Sequence, residues 1–266
     1  MATNLQMRAL SGRLCSTSAG HNGKRIEIYD GTEFVAETLL PTVQGKYRVR
    51  AYRHSVDGWR TYTEPSCIMT GNPEGCEAVP LRVHDACFTS EVLGSLKCDC
   101  SGQLQLAMEY IQQHKPGIVI YLQQEGRGIG LANKIAAYAL QEKGLDTVDA
   151  NRALGLPDDC REYSSVSNIL RDLGVKSVKL MTNNPRKIRV LERLGVKVLE
   201  RLPCIVAPGA LNVHYLATKR LRMSHLLEGE GSTVDDDQDK EELEGQFCHW
   251  NHDGESALSS FVEPDR

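Results

Sequence analysis

Cys87, Cys98 and Cys100 form a C-x10-C-x-C cluster, and three thiols at such spacing can share a metal ion. In an extended segment the side chains of Cys98 and Cys100 point the same way, because strand periodicity is two. Structural zinc sites normally close with four protein ligands, whereas catalytic zinc keeps three and leaves the fourth position to water. No fourth Cys or His follows at short spacing, which favours the open kind. His84, three residues before Cys87, could instead close the site as a structural one, and metal-free thiols are a third reading. An open zinc would bring the pKa of its water toward about 7, making a nucleophile available at neutral pH.

Three further segments carry side chains suited to a charged ligand. Glu125-Gly126-Arg127-Gly128-Ile129-Gly130 reads as a strand ending in a glycine-rich turn before a helix. Glycines let backbone amides approach a ligand, and a helix N-terminus attracts anions. The spacing is not the dinucleotide fingerprint, so a plain tight turn fits as well. Thr182-Asn-Asn-Pro-Arg-Lys187 offers Asn183 or Asn184 as a helix cap with Pro185 at the first helical position. Leu156-Pro-Asp-Asp159-Cys-Arg161-Glu-Tyr reads as a polar loop. Tyr138 lies four residues after Lys134 and so on the same helix side.

Composition limits the classes available. With 41% apolar and 25% charged residues, the 266-residue chain has the profile of a globular protein with a sizeable core. No apolar run is long enough to span a membrane, and no secretory signal is visible, so a cytoplasmic protein is expected and nine cysteines read as thiols or ligands. Residues 1–26 lack Asp and Glu but hold Arg8, Arg13, Lys24 and Arg25; that is the composition of a flexible arm or of an organelle transit peptide, plastid targeting included. Residues 228–266 carry thirteen acids against Lys240 and Arg266, leaving residues 1–227 at a net +7. A basic body suits a polyanionic ligand, and the acidic run suits a disordered tail. No basic stripe interleaved with aromatics speaks for nucleic acid.

The elements that must position these residues follow from periodicity. Between Phe34 and Val83, alternating stretches such as Tyr47–Arg53 and the run Ala78–Val83 are broken at Gly45, Gly58 and Gly71-Asn-Pro, predicting several antiparallel strands. Leu104, Ala107, Met108 and Ile111 fall at helical spacing, and the apolar run Gly117–Leu122 follows. The order repeats with helices at 131–143, across Val166–Leu173 and at 186–194, and strands at 177–182 and 196–201. An α/β (mixed α+β) fold is expected, with an N-terminal strand-rich antiparallel region followed by an alternating helix/strand layer. The expected organisation is an arm at 1–33, one catalytic domain at 34–227 and the acidic tail at 228–266.

Four motifs agree in order and spacing with one family. Arg82-Val-His-Asp-Ala-Cys-Phe-Thr-Ser-Glu-Val-Leu-Gly-Ser-Leu-Lys-Cys-Asp-Cys-Ser-Gly-Gln-Leu, Gln123-Gln-Glu-Gly-Arg-Gly-Ile-Gly-Leu, Asp146-Thr-Val-Asp-Ala-Asn and Met181-Thr-Asn-Asn-Pro-Arg-Lys together closely resemble GTP cyclohydrolase II, from about Glu37 to Leu227. The resemblance implies hydrolysis of GTP at C8 with release of formate and diphosphate, which opens riboflavin synthesis. It implies one catalytic Zn2+ on Cys87, Cys98 and Cys100, Mg2+ with the triphosphate, and a homodimer. Substrate contacts carried over are Arg82, Gln103, Glu125, Gly126, Arg127, Thr147, Thr182 and Lys187. Tyr138 would assist the hydrolysis that releases formate. Asp159 would act as a base, and Arg161 as the nucleophile that takes the nucleotidyl group. An arginine stays protonated, so stabilising charge on the transferring phosphorus is its easier task.

The family commonly has Ser-Glu before the first cysteine, then Leu-Thr-Gly, and Gly after the third cysteine; here stand Asp85-Ala86, Phe88-Thr-Ser90 and Ser101. Ala86 removes a carboxylate beside a metal ligand, which supports an alternative: a paralogue opening a pyrimidine nucleoside triphosphate. A nucleotide-binding regulator with a structural zinc is the other alternative. Residues 1–33 are too few for the dihydroxybutanone phosphate domain that many relatives carry, so a monofunctional chain is expected.

Overall fold

The computed structural model describes residues 31–206; most of the N-terminal arm and the acidic tail lie outside the described residues. One seven-stranded sheet organises them, in the order β1-β2-β3-β5-β4-β6-β7. β1 (Thr32–Thr42), β2 (Gly45–His54) and β3 (Ser66–Thr70) form an antiparallel meander whose last strand pairs antiparallel with β5 (Gly117–Leu122). From there the sheet is parallel, through β4 (Val79–Asp85), β6 (Val178–Met181) and β7 (Val198–Leu202). The strand-rich beginning and alternating continuation expected from periodicity are therefore present, joined in one sheet.

The sheet's faces are covered differently. Helix α2 (Cys100–Gln113) brings Ala107 and Ile111 against Tyr47, Val119 and Met181. The alternate residues of β5, Ile118 and Ile120, face the other way and pack with Leu81, Val83 and Leu180 beneath α5 (Ser164–Asp172) and α6 (Pro185–Arg193), which supply Val166, Ile169 and Leu191. Gly117 lets α2 approach β5: a Cβ there would stand 2.6 Å from Ile111 Cβ.

The connection from β4 to β5 thus runs over one face through α2, while the connection from β5 to β6 recrosses β4 on the other face through α5. In open α/β sheets the crevice at the carboxyl ends of strands, where connections part to opposite faces, is where ligands bind. Asp85, Leu122 and Met181, the last residues of β4, β5 and β6, all end at that edge.

Two expectations need correction. Ala78–Val83 was expected among the antiparallel strands, but β4 pairs parallel with both neighbours. It is buried along most of its length, as a central parallel strand must be; its partners lie far along the chain, which local patterning does not register. Cys98 and Cys100 do not share an extended segment. Cys98 precedes a bend at Asp99 (φ −105°, ψ 11°), and Cys100 is the first residue of α2. The helices expected at 131–143 and 186–194 are found as α3 (Leu131–Gln141) and α6, with α4 (Thr147–Ala153) unanticipated between α3 and α5. Asp146 caps α4, accepting from the amides of Val148 and Asp149. A four-residue α1 (Phe88–Glu91) follows Cys87.

Candidate active site

A pocket opens at the carboxyl edge of the parallel strands. β4 and its exit supply Arg82, His84, Asp85, Ala86 and Cys87 to its wall; the turn after β5 supplies Gln124 to Arg127; the exit of β6 supplies Thr182, Asn183, Asn184 and Lys187. Cys100 and Gln103 reach it from α2, Lys134 and Tyr138 from α3, and Arg161 from the loop before α5.

The three thiols meet at one end. Their sulfur atoms lie within 4.8 Å of one another, with Cys87 and Cys98 3.7 Å apart. A tetrahedral zinc with bonds of about 2.3 Å needs sulfurs roughly 3.8 Å apart, so the set fits such an ion with little adjustment. Hydrogen bonds from Cys100 and Cys98 hold the Cys87 thiol well below its ordinary value, against burial and with help from Lys134. Cys98 is pushed up, because Cys87 and burial outweigh the hydrogen bond from Cys100. No disulfide joins the described cysteines.

His84 does not complete this cluster. Its Nε2 lies 2.9 Å from Glu91 Oε1, and its ring stacks on Tyr121. Burial lowers its pKa despite that carboxylate. Glu91 is itself engaged, accepting from the Cys87 amide at 2.8 Å and from the Tyr121 hydroxyl at 2.7 Å. The network braces the start of the cysteine loop, and the ligand group among the described residues remains three cysteines.

Glu125 and Lys134 link the thiols to the glycine-rich turn. The Glu125 carboxylate accepts from Lys134 Nζ at 2.5 Å and from the Phe88 amide at 2.6 Å. Lys134 donates also to Cys87 Sγ at 3.1 Å and Thr89 Oγ1 at 2.9 Å. Burial alone would lower the Lys134 pKa, but the bonds to Glu125 and Cys87 raise it. The turn itself is a short 3₁₀ segment, Glu125–Gly128, in which Gly126 and Arg127 are left-handed at φ 61° and 63°. That conformation is uncommon for a non-glycine residue and strained. It is braced by the Cys160 amide, which donates to the Arg127 carbonyl at 2.9 Å.

At the other end stands a cluster of charges. Arg161 donates through Nε and Nη2 to Asp159 at 2.9 and 2.6 Å, and through Nη1 to Asp85 Oδ2 at 2.9 Å. Asp85 Oδ2 also accepts from Lys187 Nζ at 2.9 Å and from the Tyr163 hydroxyl at 3.1 Å. Asp159 further pairs with Arg186 at 2.8 Å. Burial would raise the Asp85 carboxyl, but Lys187 and Arg161 hold it well below the usual carboxylate range. Desolvation pulls Lys187 down to about 8 even though Asp85 opposes it. Arg161 is pushed above its ordinary value by Tyr163, Asp159 and Asp85 despite burial; it is a fixed cation. Lys187 lies in the first turn of α6, where Asn184 caps the helix and Pro185 follows as expected.

Between these ends, Arg82 donates to the Met181 carbonyl at 3.0 Å and to Gln103 Oε1 at 2.7 Å, while Gln103 Nε2 donates to Asp99 at 2.6 Å. Arg82 Nε, His84 Nδ1 and Asp85 Oδ1 are buried without a hydrogen-bonding partner among the described residues. All three belong to pocket-lining residues, where a polar ligand could satisfy such groups.

Most residues singled out by sequence thus meet in one pocket. Cys98 is buried behind its wall, and Asp159 acts on it through Arg161. Thr147 opens α4, and its side chain lies outside the described positions. Sequence reading missed Lys134 as a participant, although its i, i+4 relation to Tyr138 was visible; its Nζ stands 5.7 Å from that ring's centroid. It also treated Asp85 only as a departure from a pattern.

The chain matches the family model described as GTP cyclohydrolase II over residues 33–203. It is 46% identical over 198 residues to the GTP cyclohydrolase-2 of Teredinibacter turnerae, covering 74% of this chain and 98% of the relative. With the GTP cyclohydrolase-2 of one Acinetobacter baumannii strain it shares 47% over 194 residues, or 73% and 96% of the two chains. It is also 46% identical over 190 residues to the riboflavin biosynthesis protein RibBA of Synechocystis, covering 71% of this chain but 34% of the relative. The chain spans less than half the length of the first RibBA relatives it matches.

Proposed function

Because the chain belongs to the GTP cyclohydrolase II family, we propose that it hydrolyses GTP at C8, releasing formate and diphosphate and leaving the 2,5-diamino-6-ribosylamino-4(3H)-pyrimidinone 5′-phosphate from which riboflavin is made. One observation carries this reading: a pocket lined by convergent thiols and by the cationic side chains of Arg161 and Lys187. A nucleoside triphosphate has the matching polarity, an electrophilic ring carbon at one end and phosphates at the other.

Cys87, Cys98 and Cys100 would hold a zinc ion. When bound, it supplies Lewis acidity that makes a water nucleophilic near neutral pH. Tyr138 lines the same pocket as Cys87 and Cys100, and its hydroxyl can donate and accept a proton during loss of formate. Burial raises the Tyr138 pKa against the pull of Lys134, so the hydroxyl stays protonated and available as a donor.

At the other end Lys187 and Arg161 face the phosphates, with Mg2+ sharing their charge, and Arg82 contacts the nucleotide between the two ends. Arg161 carries two carboxylates in fixed geometry, an arrangement that keeps it charged. This supports stabilisation of the phosphorus during diphosphate loss rather than attack by a deprotonated arginine. Asp159 orients Arg161 in the process. Glu125, Gly126, Arg127, Gln103 and Thr182 are assigned to nucleotide binding. Both Glu125 oxygens already accept from this chain, so a base would share its remaining lone pairs.

The test is an incubation of the purified full chain with GTP, ATP, UTP or CTP plus Mg2+, reading formate and ring opening. Formate from GTP alone is the expected result. Opening of the UTP or CTP ring instead, which releases no formate because neither has a CH carbon between two ring nitrogens, would establish the paralogue chemistry to which Ala86 points, and no ring opening of any nucleotide would end the enzymatic reading.

A further inference from the structure

Lys134 holds a position that nucleotide binding does not explain. It is buried on α3, and its ammonium donates to Cys87 Sγ, Thr89 Oγ1 and Glu125 Oε1 at 3.1, 2.9 and 2.5 Å. An ammonium has three protons, so each is committed within the protein and none is left for a substrate. A buried cation needs compensating negative charge. Glu125 supplies one charge, and the Cys87 sulfur is the other candidate.

Three thiolates around a divalent cation leave a net charge of −1, and an ammonium lying between that assembly and the Glu125 carboxylate attracts both. An N–H···S bond also draws electron density from the sulfur, so the ion retains more of its positive charge. Groups just outside the ligand shell tune a metal in this way. Lys134 is built for both effects, because it reaches the ligand sulfur and not merely its surroundings. Its other contacts fix the direction of approach: Thr89 lies in α1, two residues after Cys87, and Glu125 comes from the turn after β5.

We propose that Lys134 is a positioning residue for the metal centre, donating to the Cys87 sulfur and pinning it in place. The inference rests on the zinc reading given above and deepens it. A plain ion pair with Glu125, with Cys87 merely nearby, is the competing account.

The experiment measures zinc rather than turnover. The full chain and its Lys134→Met and Glu125→Gln variants are challenged with a chromophoric chelator, and their cobalt-substituted forms are compared by the sulfur-to-cobalt charge-transfer band. Lys134→Met should bind zinc roughly 10- to 100-fold more weakly, the usual effect of losing an outer partner of a metal ligand, and its band should move. Glu125→Gln leaves the N–H···S bond in place and should change neither. If Lys134→Met does not fold, the double variant Lys134→Met, Glu125→Gln has no stranded carboxylate and should show the same weakening and band shift. Unchanged affinity and an unmoved band on loss of Lys134 would overturn the inference while leaving the zinc site standing. So would an equal loss from Glu125→Gln alone. A full chain that takes up no zinc at all would overturn the metal reading itself.

Discussion

Asp85, the last residue of β4, accepts a hydrogen bond from Arg161 Nη1 at 2.9 Å across 76 residues of chain. The same oxygen accepts from Lys187 at 2.9 Å. One carboxylate thereby sets two cations side by side at the strand edge.

Removing that charge should therefore be costly. Asp85→Asn keeps the shape but leaves Arg161 and Lys187 facing each other in a mostly buried site. Breaking a buried ion pair typically costs about 3–5 kcal/mol. Urea unfolding should show a midpoint lowered by that much stability, with Asp159 retaining part of the hold on Arg161. An unchanged midpoint would mean that Asp85 is not paired in solution.

Lys187 should make nucleotide affinity pH-dependent. Its folded-state pKa is drawn down to about 8 from an ordinary 10.5, chiefly by burial. The charged form that attracts phosphate is full below that value and is lost as pH rises through it, so the dissociation constant should climb above pH about 8. The stability sign is separate. The unfolded chain binds more protons than the folded one between pH about 8 and about 10.5, so this group's contribution to stability rises with pH across that window. Calorimetric titration with a nucleotide at several pH values tests the first point, and Lys187→Arg should flatten the curve because arginine does not titrate there.

The two hydrolytic stages should separate by mutation. Cys98→Ser should abolish zinc retention and leave GTP unchanged. Tyr138→Phe keeps the ring, over which Lys97 Nζ sits 4.7 Å from the centroid, but removes the hydroxyl. It should spare binding and accumulate a formylated intermediate, seen by mass spectrometry of quenched reactions. Only unchanged GTP, or only deformylated product, from Tyr138→Phe would contradict the role given to that residue.

Packing beneath the site is tested at Gly117. A Cβ there meets Ile111 Cβ at 2.6 Å and Cγ2 at 2.8 Å, neither of which can yield without shifting α2. Gly117→Ala should cost about 1–3 kcal/mol, the usual range for overpacking. Because α2 begins at Cys100, zinc retention should weaken as well. Thermal unfolding and zinc content of the same preparation report both.

How far the sequence could be read depended on the range of the interaction. The Asn184 cap with Pro185, the glycine-rich turn after β5 and the amphipathic spacing of Leu104, Ala107 and Ile111 are local, and all were legible. The parallel placement of β4 was not, because Leu81 pairs with Ile118 and Leu180, which no local period records. The thiol cluster was found on a mistaken local argument: Cys98 and Cys100 converge through the bend at Asp99 rather than through strand alternation. Lys134 and Asp85 were passed over for a related reason. A lysine on a helix and an aspartate at a strand end have no distinctive pattern, and their partners come from other segments.

The placement of β4 also has a consequence for the order in which the molecule can be made. β4 leaves the ribosome early, but one of its flanking strands, β6, lies about a hundred residues downstream, as the Arg82 to Met181 hydrogen bond spans. A nascent chain that has reached α2 already holds all three thiols, whereas the phosphate end needs Asp159, Arg161 and Lys187. The two ends of the pocket therefore mature at different times, with the thiols complete before Asp159, Arg161 and Lys187 have been synthesised. Closing contacts of such long range is slow, so nucleotide-binding competence should be among the last properties the growing chain acquires.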